Sequence, residues 1–108
     1  MEMFETALGR LVPLNERQTV LEDAILSVLF DFRFNPQNPH NRPMKLGSIA
    51  QAVNADERLV LAALDGLREQ TPPLIEEGEA LQQQRTFRIT GTGVRFVRNL
   101  PQGLASFR

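Results

Sequence analysis

Three serines, Ser27, Ser48 and Ser106, and a single histidine, His40, are the residues here best suited to nucleophilic or proton-transfer chemistry. They are scattered along the chain. One histidine in a polar loop cannot serve as a base for any of them unless the fold supplies an orienting acid. The absence of cysteine rules out disulfides, thiolate metal sites and thiol nucleophiles. The acidic pairs Glu22-Asp23 and Glu76-Glu77 are adjacent in sequence, and a solvated surface explains them without catalysis. Gly91-Thr92-Gly93 lacks the third glycine and the preceding βαβ pattern of a dinucleotide loop. No catalytic residue, metal ligand or cofactor site is expected, and the chain is read as a binding protein rather than an enzyme.

Binding chemistry is more visible. From Arg85 onward there are five arginines (85, 88, 95, 98 and 108) and no acid, whereas residues 1–40 hold three arginines against six acids. A cationic back half could present one face to phosphate. The formal net charge of −1 gives that idea no global support.

These side chains must be placed by the stretch from Lys45 to Glu77. Leu46, Ile49, Ala50 and Val53 recur at i, i+3, i+4 and i+7, one stripe of an α-helix. Asn54-Ala55-Asp56 interrupts the stripe, and Asp56 suits an N-cap because its carboxylate accepts a backbone N–H of the following turn. Val60, Ala63, Leu64 and Leu67 repeat the spacing, so a second helix packs on the first until Thr71-Pro72-Pro73 stops it. Two amphipathic helices around a tight turn form a helix-turn-helix unit.

Upstream, residues 1–14 read as an N-terminal arm or short helix, since Phe4, Ala7, Leu8, Leu11 and Val12 have helical spacing up to Pro13. Asn15 and Gln18 suit the ends of a capping box that opens a helix running to about Phe32. Its main stripe is Val20, Leu21, Ala24, Ile25, Val28, Leu29 and Phe32, and Leu26, Phe30 and Phe34 lie outside it. A second apolar face needs a second cover. A homodimer meeting at Phe4, Leu8, Leu26, Phe30 and Phe34 is therefore expected; the alternative is a monomer in which the arm supplies the cover.

Arg33 to Arg42 is a polar loop rich in Asn and Pro. Pro43-Met44-Lys45 suits a very short strand, Leu74 to Glu77 a strand, Glu79 to Arg85 a hairpin tip, and Thr86 to Ile89 a returning strand. Thr90 suits the cap of a last helix carrying Val94, Val97 and Leu100, and residues 101–108 read as a tail. A mainly α, α+β domain over 15–100 follows, of a size that buries one modest core. No apolar run reaches about 18 residues and the first five residues are acidic rather than basic, so neither a membrane span nor a signal peptide is expected and the cytoplasm is the expected compartment.

The segments LGSIAQAVNADERLVLAALDGL, PLIEE and FRITGTGVRFV together resemble the winged helix-turn-helix family of small prokaryotic regulators. In that pattern an aromatic-x-(Leu/Ile)-Thr-x-x-Gly run leads into the final helix, and Phe87, Ile89, Thr90 and Gly93 fill it here. The resemblance implies a three-helix core with a β-hairpin wing and a C-terminal helix. It also implies a homodimeric, sequence-specific regulator of transcription that binds double-stranded DNA. Carried over by position, Glu57, Arg58, Leu61, Ala62 and Asp65 would face the major groove. Lys45, Ser48 and Gln51 would lie near the backbone, with Gln83, Gln84, Arg85 and Arg88 on or beside the wing. The chemistry departs from the pattern at the base of the wing, where Glu76, Glu77 and Glu79 put acid, and in the recognition helix. A base-reading helix favours Arg, Lys, Asn or Gln, and of the expected groove-facing residues Arg58 alone qualifies. Leu59, Ala62 and Gly66 instead make a small apolar stripe, which fits the alternative function, a winged-helix module that binds a protein partner and no DNA.

Overall fold

The computed structural model describes residues 3–5 and 11–99, with side chains described from Val20 to Asn99. Nine elements follow in order: β1 (Met3–Glu5), β2 (Leu11–Pro13), α1 (Leu14–Arg33), β3 (Met44–Lys45), α2 (Leu46–Val53), α3 (Glu57–Arg68), β4 (Ile75–Leu81), β5 (Gln84–Ile89) and α4 (Gly91–Arg98). The described residues form a mixed α+β fold, with four helices and a three-stranded antiparallel sheet of order β3-β5-β4. β1 and β2 form a separate antiparallel pair.

Local capping explains the helix pair. α2 ends at Asn54, whose φ of 53° is left-handed and whose N–H turns back to the carbonyls of Ala50 and Gln51. Ala55 N–H then closes on Ala50 O at 3.1 Å. Two residues on, the Asp56 carboxylate accepts Arg58 N–H at 2.8 Å and starts α3. The apolar stripes of both helices point the same way: Leu46, Ile49 and Ala50 from α2 meet Val60, Ala63, Leu64 and Leu67 from α3. α1 lies across both and adds Ile25, Leu26 and Leu29.

The sheet closes the other side of this core. Phe87 and Ile89 of β5, with Leu74 and Ile75 at the start of β4, turn inward, and Phe87 is 0% exposed. The hairpin is longer than the sequence implies. Glu79 to Arg85 was expected as its tip, but β4 continues to Leu81 and the tip is Gln82-Gln83 alone. Both tip residues have positive φ, 52° and 65°, the backbone that a two-residue hairpin turn demands and that Asn-Gly usually supplies. A bulge between Gly78 and Leu81 interrupts the register. Thr86, fully buried, donates its hydroxyl to Glu79 O at 2.7 Å and so satisfies a carbonyl of the bulged stretch.

Thr90 fastens α4. Its Oγ1 accepts Gly93 N–H at 3.0 Å and donates to Pro73 O at 2.7 Å, while its own N–H reaches Leu74 O at 3.0 Å. Val94 and Val97 then complete the core. In the α1–β3 loop, buried Asn38 plays a similar part. Its amide donates to Phe32 O at 3.0 Å and its carbonyl accepts Arg42 N–H at 2.8 Å.

Of the two expectations for residues 1–14, arm or short helix, helix is excluded over the described backbone, since Met3–Glu5 and Leu11–Pro13 are a pair of strands. Five apolar residues with helical spacing are too few to nucleate a helix interrupted by glycine and ended by proline. α1 begins at Leu14, one residue before the expected cap; the Asn15 side chain lies outside those described.

Gly93 tests the docking of α4. A Cβ there would overlap the Leu74 carbonyl oxygen and Ile89 Cγ1, whereas at Gly91 it would meet only Arg95 Nη1 at 3.9 Å. Gly93→Ala should therefore destabilise the domain by about 1–3 kcal/mol in denaturant unfolding, and Gly91→Ala should not.

Candidate functional site

The surface built by the start of α2, the outer side of α3 and the β4–β5 hairpin holds the residues expected to bind. Ser48, Gln51, Arg58 and Ala62 are exposed there. The helical period puts Arg58, Ala62, Asp65 and Glu69 along one outward line of α3, opposite the buried stripe. Beside that line Leu59 stays 39% exposed. One cation against two carboxylates makes this face acidic.

The hairpin changes the role of its arginines. Arg85 grips Glu77 with two bonds, Nε to Oε2 at 3.0 Å and Nη2 to Oε1 at 3.1 Å. Its guanidinium also lies 5.3 Å from the centre of the Phe87 ring. Arg88 Nε donates to Glu76 Oε1 at 2.7 Å, across the directly opposed pair of the ladder. Glu77 receives Arg68 of α3 as well, at 3.2 Å, so one carboxylate joins helix to hairpin. Arg85 and Arg88 were expected as free phosphate contacts; each is neutralised within its own hairpin. The acids at the base of the wing are legible in the sequence; that antiparallel pairing sets Glu76 and Glu77 directly beside these two arginines is not.

Lys45 and Gln84 also have internal partners. Lys45 Nζ donates to Gln82 Oε1 at 2.7 Å and Gly47 N–H to Gln84 Oε1 at 3.1 Å. Gln83 is exposed and makes no side-chain hydrogen bond among the described residues.

The expected dimer residues are dispersed. Leu26 is corrected: at 1% exposure it belongs to the subunit's own core and is unavailable to a partner. α1 is covered over more of its circumference than one stripe, because α4 packs on it beside α2 and α3. Phe30 is half-buried against the core, and Phe34 is 48% exposed. Their rings lie 4.9 Å apart, with the Arg98 guanidinium 6.0 Å from the first and 5.4 Å from the second. The side chains of Phe4 and Leu8 lie outside the described residues. One edge of the expected main stripe of α1 is only partly covered: Val20 is 44% exposed, and Ala24, Val28 and Phe32 follow at every fourth position, each half-buried.

Among the described residues no group of three or more His, Asp or Glu could hold a metal, and His40 is an exposed loop residue. No helix of the described residues is long and apolar enough to cross a membrane. Burial of Asp23 raises its carboxyl above the usual range, and Glu22 is raised by burial and then by the charge of Asp23. The two bonds from Arg85, helped by the charges of Arg85 and Arg68, hold Glu77 below it.

These shifts have opposite consequences. Glu77 contributes stability that is present above the carboxylate range and lost as pH falls through its lowered value. Removing the carboxylate, Glu77→Gln, should cost at most about 1 kcal/mol at neutral pH, as for other exposed pairs, and nothing at low pH. Asp23 costs stability while ionised, so Asp23→Asn should stabilise at neutral pH and lose that advantage below the ordinary aspartate range. Urea midpoints across pH measure both. Comparison with known protein families, curated proteins and solved structures found no match for this chain.

Proposed function

We propose that residues 15–100 form a winged helix-turn-helix domain of a small, homodimeric, DNA-binding regulator of transcription, with α3 as the groove-facing helix and β4–β5 as the wing. The order of elements supports this reading. A helix, a short strand, two helices about a three-residue turn, and a hairpin whose second strand pairs with the first short strand follow one another. The exposed polar residues Ser48, Gln51 and Arg58 and the free tip residue Gln83 lie on the elements that the family uses to meet a duplex. The protein acts by binding, without cofactor or catalysis. Its second subunit packs on the outer line of α1, Val20, Ala24, Val28 and Phe32, with Phe34 at the end.

A second reading, a protein-interaction module of the same fold, is favoured by one observation. The arginines of the hairpin are paired with its own glutamates, and the outward line of α3 is acidic with Leu59 beside it. Phosphate neutralisation supplies most non-specific DNA affinity, and paired arginines contribute little of it.

Duplex binding measured across a salt series separates the two. The DNA reading predicts affinity at low salt that falls as salt rises. Arg58→Ala should lower it by about 1–3 kcal/mol if that residue reads a base edge. Glu76→Gln with Glu77→Gln should raise it by releasing Arg88 and Arg85. No affinity at low salt in either protein leaves the protein-interaction module. For the dimer, sedimentation should report a mass near twice 12.2 kDa. Val28→Asp or Phe34→Asp should halve it while leaving the far-ultraviolet spectrum unchanged.

A further inference from the structure

Gln82 and Gln83 form the hairpin turn and Gln84 opens β5, and the side chains of Gln82 and Gln84 bond to the segment at the start of α2. α2 begins without a cap of its own: Lys45 stands at the N-cap position, has no acceptor to offer and makes no capping bond. The N–H groups of a helix's first turn have no partner within the helix. Here the Gly47 N–H donates to Gln84 Oε1 at 3.1 Å, from a residue 37 positions later. Gly47 leaves room for that oxygen, since a Cβ in its place would lie 2.9 Å from Gln84 Oε1. Beside it, Lys45 Nζ donates to Gln82 Oε1 at 2.7 Å. Gln82 and Gln83 hold left-handed backbone that neither side chain favours, at φ 52° and 65°. The two bonds therefore clamp a turn whose own sequence is a poor turn former.

We infer that Gln84 is a positioning residue, the N-cap of α2 supplied by the hairpin, and that with the Gln82–Lys45 bond it fixes the hairpin's angle against the α2–α3 pair. Hairpin and helices then meet a ligand as one preformed surface, with Gln83 rather than Gln84 left to touch it. The functional consequence rests on the proposed binding surface; the clamp itself does not, because its test contains no DNA.

Amide hydrogen exchange of the full chain by NMR provides the test. In Gln84→Ala the Gly47 amide should exchange about fivefold faster, the population ratio that one lost N-cap bond is worth. The core amides of Ile49 and Leu64 should be unchanged, and the backbone of Gln82 and Gln83 should lose order on the picosecond-to-nanosecond scale. Gln84→Glu should restore protection at Gly47, because a carboxylate oxygen accepts the same bond. Unchanged exchange at Gly47 in Gln84→Ala, equal acceleration at every core amide, or no restoration by Gln84→Glu would each overturn the assignment. DNA binding that fails with the clamp intact would count against the functional reading alone.

Discussion

The middle position of β5 is the constraint on which the domain rests. It is the only strand of the three-stranded sheet with a neighbour on both edges. Its Phe87 is wholly enclosed, with Ile89 beside it, while α1 and α2 both pack against the strand. Burying a phenylalanine of this kind stabilises by roughly 1.5–3 kcal/mol, a large share of the 5–15 kcal/mol typical of a whole domain. Because β3 and β4 bond to the same strand, the helix pair that follows β3 and the hairpin that contains β4 take their positions from one piece of backbone.

That shared strand also governs the electrostatics. Antiparallel pairing sets Glu76 directly opposite Arg88, and Glu77 falls within reach of Arg85. The five arginines of the last stretch of sequence therefore do not all remain available as cations. Two of them spend their charge on acids that precede them in the chain. Glu77 further reaches Arg68 of α3, so the ions that would have met a ligand instead tie hairpin to helix.

What the sequence reveals depends on how local its cause is. The stripes of α2 and α3, the Asp56 cap and the Thr90 cap each involve residues within a few positions of one another, and period and side-chain chemistry are enough to read them. The arm before α1 defeats the same reasoning: its apolar spacing suits a helix, but its described residues, Met3–Glu5 and Leu11–Pro13, pair as strands. The hairpin tip was placed too wide because Gln-Gln carries no turn signature, and its geometry is held by Lys45 and Gly47 far upstream. Leu26 lies outside the main stripe of α1, and no local pattern shows that α4 packs on α1 beside α2 and α3. Gln84 as a cap for α2 lies beyond any local pattern, and only the lone Lys45 at the N-cap position hints at it.

The bulge at Gly78 to Leu81 leaves a mark on how copies of the chain could associate. β4 is an outer strand, and a long flat outer strand invites a neighbouring molecule to extend the sheet. Here the irregularity bends the strand, and Glu79 adds a charge that would repel the same strand of another copy. Intermolecular pairing through the β4 edge is thereby discouraged.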